Sequence, residues 1–283
     1  MAKIIIYSPS YDTNSGGIIV LHKLCHILLE LGYDASLYPM YKGDFYINST
    51  YKSNVSLTYS KDDIIIYPEI VYGNPLNGNN IIRYIMNNGH ISLNRKETWG
   101  ENDFWVYFSD RFYDGIKQKN ILHIIDSKKE YYKDYGIERI HKSCHTFRKN
   151  EIAKKDISCY VHSKDSIEIG FNMGDDYLIK LFNTCEKFYS YDTETYLSVL
   201  AALCGCESII VPNKNFNKQT IKDKIPVCKY GIKYGDDDII DFETEKKLLY
   251  KELTDLEKKP YSVIPQLIIK INEHFKTNIT NRH

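Results

Sequence analysis

The 283-residue sequence has no excess of charge and no long apolar run. Lysine plus arginine and aspartate plus glutamate each number 37, so no overall charge attracts the chain to nucleic acid, and we expect no nucleic-acid partner. The apolar residues 3–7 are too few for a signal peptide or a membrane span, and no other segment is long enough. We therefore expect a soluble, cytoplasmic protein whose membrane contact, if it has any, is peripheral.

The cysteines and aspartates lack the spacing of metal sites. Seven cysteines are an odd number with no paired spacing, and four lie in or beside apolar segments, which predicts buried free thiols in a reducing compartment: Cys25, Cys185, Cys204 and Cys206. The last two are too close together for zinc ligands of the usual spacing. No Asp-x-Asp motif ends a strand, because residues 236–238 follow a glycine in a predicted loop. The sequence predicts no metal and no other cofactor.

The first part of the chain carries strand and helix signals in alternation. Residues 3–7 predict a buried strand, residues 18–31 predict an amphipathic helix that ends at Gly32, and a second strand follows. Gly16 and Gly17 lie in the polar loop before the helix. This Rossmann-like βαβ unit lacks the G-x-G-x-x-G pattern, so a nicotinamide or flavin dinucleotide is disfavoured. The polar residues 41–60 are either an insertion or an acceptor loop.

Residues 188–212 contain the strongest functional signal. An apolar strand leads into a polar turn, apolar residues then recur at helical spacing up to Gly205, and another strand follows. At such a turn, free backbone N–H groups can hold a diphosphate and an acidic side chain can hold ribose hydroxyls. Plain capping of a surface helix is the alternative interpretation. The polar residues of the turn are Tyr191, Asp192, Glu194 and Thr195.

Three stretches resemble one enzyme family. Y-D-x-x-T at residues 191–195 with A-A-L-C-G-C at residues 201–206 resembles the nucleotide-sugar-binding segment of bacterial and viral GT-B glycosyltransferases. The Ser-Gly-Gly loop at residues 15–17 and the stretch at residues 67–89 resemble the amino-terminal side of the same enzymes. The resemblance implies an α/β fold with two Rossmann-like, doubly wound domains facing a cleft. Residues 1–140 would bind the acceptor and residues 141–283 the donor.

The resemblance also implies a set of donor-binding residues. Arg148 and Lys149 would neutralise the leaving diphosphate, although a solvated basic pair explains them equally well. His162 and Ser163 follow a predicted strand, where a lone histidine is more often structural. With His162 and Ser163, which their place at a strand end selects and not the resemblance, the candidate donor-binding set is Gly16, Gly17, Arg148, Lys149, His162, Ser163, Tyr191, Asp192, Glu194 and Thr195. The family often carries two glutamates eight residues apart, but here Asp192 stands at the first position and the apolar Leu200 at the second.

The implied activity is transfer of a sugar from a nucleotide sugar to a glycan or polysaccharide acceptor, without a metal. An inverting enzyme needs a base, for which the candidates at loops and strand ends are Asp12, Glu69, His90 and Asp110. A retaining enzyme needs none of them. Two alternatives stay open, a non-catalytic glycan- or nucleotide-binding protein and a nucleotide-sugar epimerase. A composition rich in Ile, Asn, Lys and Tyr suggests an AT-rich bacterial or viral genome, and a viral protein would act in the host cytoplasm.

Several boundaries complete the prediction. The domain boundary is placed near residues 131–143, where charge rises and apolar periodicity lapses. Residues 165–170 predict a short helix, and residues 241–256 and 263–275 predict two further helices.

Overall fold

The computed structural model describes residues 2–87, 94–148, 151–155, 160–192, 195–213, 218–219 and 229–281, with the backbone alone for residues 151 and 152. Within these residues the chain forms two parallel sheets of five strands each, with helices between strands. The contacts divide it into two compact units. The first comprises the chain up to Asp126 and from Leu256 onward, and the second comprises Ser127–Asp255.

The first unit is built on a sheet of order β2-β1-β3-β4-β5, in which all neighbouring strands are parallel. Its elements are β1 (Ile4–Ser8), α1 (Gly16–Glu30), β2 (Ala35–Pro39), β3 (Ile64–Pro68), β4 (Asn80–Ile85) and β5 (Phe104–Tyr107), with 3-10 turns at Arg95–Thr98 and Asp110–Phe112. Gly32 follows α1 with a φ of 81°, a left-handed conformation that suits glycine, so the predicted end of this helix is confirmed.

The two faces of the first sheet are covered differently. Alternate residues of β1 point to opposite faces, so Ile4 and Ile6 pack with α1 and the carboxyl-terminal helix, and Ile5 packs in a separate cluster on the other face. On that second face Val71 and Leu76 of the connection at residues 69–79 pack with Ile5, and this fully described connection contains no helix. The connection at residues 40–63 also contains no helix, and it contacts both faces, since Met40 packs with Ile5 and Phe45 packs with the α1 cluster.

The second unit is built on a sheet of order β10-β9-β8-β6-β7, which is also parallel throughout. Its elements are β6 (His141–Thr146), α2 (Glu151–Lys155), β7 (Ile167–Glu168), α3 (Asp175–Thr184), β8 (Cys185–Ser190), α4 (Leu197–Leu203), β9 (Glu207–Ile210) and β10 (Ile232–Tyr234). Helix α5 (Phe242–Phe275) follows β10, and its residues from Leu256 onward belong to the first unit.

Both sheets have the same connectivity. When the strands of each unit are numbered along the chain from one to five, their spatial order across the sheet is 2-1-3-4-5 in both units. This is a doubly wound order in which the direction of winding reverses between the first and third strands. The protein is thus a mixed α/β chain with two Rossmann-like units, as the sequence predicted. Whether the units face a cleft in the GT-B manner stays a prediction.

The structure departs from the predicted boundaries in four places. The polar residues of β6 form a central strand where the sequence suggested the end of a domain, and the predicted helix at residues 165–170 is wrong because β7 lies there. The two predicted carboxyl-terminal helices are one continuous helix, α5. The division falls after Asp126 instead of residue 140, because Lys128 and Tyr132 bond to Asp175 of the second unit. The chain from Leu256 onward belongs to the first unit, because apolar residues of α5 pack on the first sheet: Ile264, Leu267, Ile268 and Ile271.

Candidate functional site

In a doubly wound sheet, ligands bind outside the carboxyl ends of the strands at the point where the winding reverses. In the second unit this point lies between β6 and β8. Arg148 follows β6 and Tyr191 follows β8, and the amide of Tyr191 donates to the carbonyl of Thr146 at 3.1 Å. Two of the predicted donor-binding segments, more than forty residues apart in sequence, therefore lie side by side at the switch point of the second sheet.

The guanidinium group of Arg148 forms no ion pair with a carboxylate among the described residues. Its Nε is buried without a hydrogen-bond partner there, and the guanidinium lies 4.9 Å from the ring centre of Phe171. Phe171 is an exposed aromatic residue that the sequence did not single out. An arginine in this state can form charge-assisted hydrogen bonds to a phosphate. The predicted partner Lys149 lies outside the described residues.

The described residues of the turn after β8 are buried. Tyr191, Asp192 and Thr195 are 3%, 3% and 7% exposed, and Glu194 lies outside the described residues. The amide of Asp192 donates to Ser190 Oγ at 3.2 Å, and the amide of Leu197 donates to Thr195 Oγ1 at 3.4 Å. These two amide protons are used within the turn, and the binding of an anion by the turn stays a prediction.

Tyr191 supports a histidine on the neighbouring segment. Its hydroxyl lies 2.7 Å from His162 Nδ1 and accepts the amide proton of Val161 at 2.9 Å. Its ring stacks on Phe147 at 4.3 Å between centroids. Tyr191 thus positions His162, while the adjacent Ser163 is exposed. The sequence had named these residues as separate donor contacts.

A second histidine completes this cluster. The rings of His145 and His162 stack at 3.8 Å with an angle of 10°, and His145 Nδ1 lies 3.0 Å from Ser166 Oγ. Burial, and then the neighbouring His162, lower the pKa of His145 to about 4, and burial also lowers the pKa of His162. Sequence inspection missed His145 because it stands in the polar strand β6.

Because His145 is neutral in the folded protein, acid should destabilise the fold through this residue. The unfolded chain binds the proton near pH 6.5 and the folded chain only near pH 4, so the contribution of His145 is fully present above pH 6.5 and is lost as the pH falls towards 4. The loss amounts to about 3 kcal/mol at most. We expect His145→Phe to flatten the dependence of the free energy of unfolding on pH in this range, measured by urea denaturation. Ser166→Ala, which keeps the histidine, should retain the dependence, and equal slopes in both variants would contradict this assignment.

In the first unit the switch point lies between β1 and β3. Gly16 and Gly17 are the first residues of α1, which begins in the loop after β1. A Cβ atom at Gly16 would meet nothing within 4 Å, and one at Gly17 would meet only Met86 Cε, at 3.7 Å. The glycines therefore leave open space beside the start of a fifteen-residue helix. Asp12 is exposed in the same loop, where its Oδ1 accepts the amide proton of Asn14 at 2.9 Å.

Glu69 differs from the other candidate bases by being buried at this switch point. It directly follows β3, is 5% exposed, and accepts the amide proton of Met86 through Oε2 at 3.1 Å. Burial raises the pKa of its carboxyl group, against the opposing effect of the Met86 amide. Asp110 is exposed and forms an ion pair with Lys119 at 2.7 Å, and His90 lies outside the described residues. A buried carboxyl with a raised pKa in such a place is a candidate for proton transfer.

Other predicted features have these outcomes. Cys25, Cys185, Cys204 and Cys206 are buried free thiols, as predicted. Across the described residues, no three histidine, cysteine or acidic side chains form a group that could hold a metal ion. No helix in the described part of the chain is both long and apolar enough to cross a bilayer.

Comparison with known proteins gives limited information. No protein-family model matches the sequence, and no curated protein matches it. One solved structure with a similar arrangement is an alpha-glucosyltransferase in complex with UDP and a 13-mer DNA containing a HMU base. It is 13% identical, has a TM-score of 0.35, and the match covers 96% of this chain and 95% of that one. This similarity is too low to assign an activity.

The same comparison contradicts one expectation. The balanced charge led us to exclude nucleic acid as a partner, but the complex of this structural neighbour contains DNA. Net charge is a sum over the whole chain and does not describe a local binding surface, so the exclusion is withdrawn.

Proposed function

We propose that the protein is a glycosyltransferase that uses a nucleotide-sugar donor, which the second unit binds, and acts on a glycan acceptor, which the first unit binds. The observation that carries the proposal is the placement of Arg148 beside Tyr191 at the switch point of the second sheet. These residues were selected from two separate stretches of sequence, and they lie together at the carboxyl edge of the second sheet. The facing of the two units across a cleft is part of the same proposal.

The roles of the site residues follow from their surroundings. Arg148 binds the diphosphate and stabilises the leaving group, in place of a metal ion. His162, held by Tyr191, and the exposed ring of Phe171 line the same edge of the sheet. Asp192 and Thr195 shape the turn from inside, since both are buried. Glu69 in the first unit is the proposed base if the transfer inverts the configuration of the sugar.

The experiment that tests the donor site is a thermal-shift screen with UDP, GDP, dTDP and CMP. We expect a nucleoside diphosphate to raise the melting temperature of the wild-type protein, since a ligand that binds only the folded state stabilises it. Arg148→Ala should weaken nucleotide binding about 10- to 100-fold, because a hydrogen bond to a charged group contributes about 1.5–3 kcal/mol. Arg148→Lys should retain part of the affinity. An unchanged shift in Arg148→Ala would place the donor site elsewhere.

A matched control lies on the same strand. Lys142→Ala removes one positive charge near the opposite end of β6, where Lys142 is exposed and pairs with Glu186. We expect this variant to bind nucleotide as the wild type does. A similar loss in both variants would indicate a general effect of charge on the nucleotide.

A second candidate function is a glycan- or nucleotide-binding protein without transfer activity. It is supported by Leu200, which is buried in α4 where the resembling family often carries a second glutamate, and by the burial of Tyr191, Asp192 and Thr195. Nucleoside diphosphate release without any acceptor product, across a broad acceptor panel, would favour this function. Interconversion of a free sugar nucleotide without an acceptor would indicate an epimerase.

A further inference from the structure

The carboxyl edge of the first sheet carries tyrosines in register on the face opposite α1. Tyr38 of β2 pairs with Tyr7 of β1. Ile6 of β1 pairs with Ile66 of β3, so the next residues of these strands, Tyr7 and Tyr67, also lie side by side. The rings of Tyr7 and Tyr38 stack at 6.1 Å, and the ring of Tyr67 meets that of Tyr7 edge-on at 5.3 Å. Three adjacent strands therefore form a continuous row of tyrosine rings.

Two exposed tyrosines extend this row towards solvent. Tyr59 lies edge-on to Tyr38 at 5.5 Å and is 36% exposed. Tyr41 is 68% exposed and directly follows Met40, whose carbonyl accepts the Tyr7 hydroxyl proton at 3.2 Å. We call Tyr7, Tyr38, Tyr41 and Tyr59 the tyrosine surface.

A role in folding accounts for the inner rings of the row, because Tyr7 and Tyr38 pack against the cluster of Ile5 and the Tyr7 hydroxyl donates to the carbonyl of Met40 at 3.2 Å. Tyr67 is fully buried, donates to Asn74 Oδ1 at 3.1 Å and accepts the amide proton of Leu76 at 2.9 Å. The hydroxyls of Tyr38, Tyr41 and Tyr59 have no hydrogen-bond partner in the part of the chain that the structure describes. Packing does not account for exposed rings with unused hydroxyls on one edge of a sheet.

The chemistry of the tyrosine surface matches a neutral, polyhydroxylated ligand. A tyrosine ring offers an apolar face, and its hydroxyl both donates and accepts hydrogen bonds. Phenol side chains carry no charge near neutral pH. Neutral sugar rings likewise carry no charge, and they combine an apolar C–H face with hydroxyl groups.

We propose that the tyrosine surface binds a neutral oligosaccharide, which is the acceptor of the transfer. This inference rests on the proposed function, and it names the acceptor class and its binding place. The row ends one residue before the ends of β1, β2 and β3, and Glu69 follows β3 directly. A saccharide on the tyrosine surface therefore lies at the same edge of the sheet as the proposed base.

The test uses the full chain and a panel of neutral hexasaccharides of glucose, galactose, mannose and N-acetylglucosamine, with calorimetric titration in the presence of UDP. We expect at least one member to bind, and the double variant Tyr41→Ala/Tyr59→Ala to weaken that binding about tenfold or more. The double Tyr→Phe variant, which keeps the rings, should lose less. Tyr46→Ala serves as the control, because Tyr46 is 65% exposed in the same segment but is outside the cluster.

The outcomes separate this inference from the proposed function. A melting shift with nucleoside diphosphate that all tyrosine variants retain, together with loss of saccharide binding in Tyr41→Ala/Tyr59→Ala alone, would support both. Saccharide binding that depends on these tyrosines without any nucleotide shift would support the surface and overturn the transferase. Nucleotide binding without binding of any hexasaccharide, equal affinity in all variants, or preferential binding of a DNA oligonucleotide to the tyrosine surface would overturn the inference.

Discussion

Replacement of Arg83 by methionine should lower the free energy of unfolding of the first unit by about 3–5 kcal/mol, because removal of one partner strands a buried charge on the other. Arg83 is 1% exposed in β4, and its Nε donates to Asp103 Oδ2 at 2.6 Å. Its Nη2 donates to the carbonyl of Gly73 at 2.6 Å. The guanidinium also lies 5.0 Å from the ring centre of Tyr67 and 5.1 Å from that of Trp99.

The variants around this pair distinguish the loss of a charge partner from the loss of packing. Asp103→Asn removes the opposite charge but keeps a hydrogen-bond acceptor and the packing of Arg83, so its cost isolates the loss of the charge partner. The double variant Arg83→Met/Asp103→Leu should recover part of the loss, since an apolar pair can replace a buried ion pair. The control is Lys119→Ala, which breaks an exposed pair with Asp110 and should cost about 1 kcal/mol or less. Urea denaturation measures all four, and equal losses for Arg83→Met and Lys119→Ala would show that burial does not decide the effect.

Glu69→Gln should reduce kcat/KM about 10²- to 10⁴-fold if the carboxylate is the general base of the transfer. The amide oxygen of glutamine can still accept the Met86 amide proton, so the melting temperature should change little. Because burial raises the pKa of Glu69, the base is protonated at a higher pH than an ordinary glutamate. The wild-type rate should therefore fall on the acid side at a pH above that expected for a solvent-exposed carboxyl.

The measurement is nucleoside diphosphate release with an acceptor present, followed over pH for each variant. Asp110→Asn and Asp12→Asn are matched controls, since both residues were candidate bases from sequence and both are exposed. These two variants should keep the wild-type rate. Full activity of Glu69→Gln would exclude Glu69 as the base and would favour a mechanism that retains configuration.

The proposed donor site was predicted from residue patterns only in part. The turn at Tyr191 was predicted at the end of a strand, whereas Arg148 was placed only at the entry to the second domain, and the structure shows that both follow central strands of one sheet. The amides of Asp192 and Leu197 bond within the turn, and this depends on where the side chains of Ser190 and Thr195 point. The stacking of His145 on His162 could not be predicted from the sequence, because β6 is a polar strand whose neighbours come from distant parts of the chain.

The sequence by itself determined the alternation of buried strands and amphipathic helices, the end of α1 at Gly32 and the polar turn after β8, because local periodicity and turn chemistry dictate these features. Only the tertiary structure decided the strand order, and with it the switch points at Arg148 and Glu69. It also decided the burial of Arg83, the row of tyrosines and the return of α5 to the first unit. These depend on contacts between residues far apart in the chain, which no local pattern encodes.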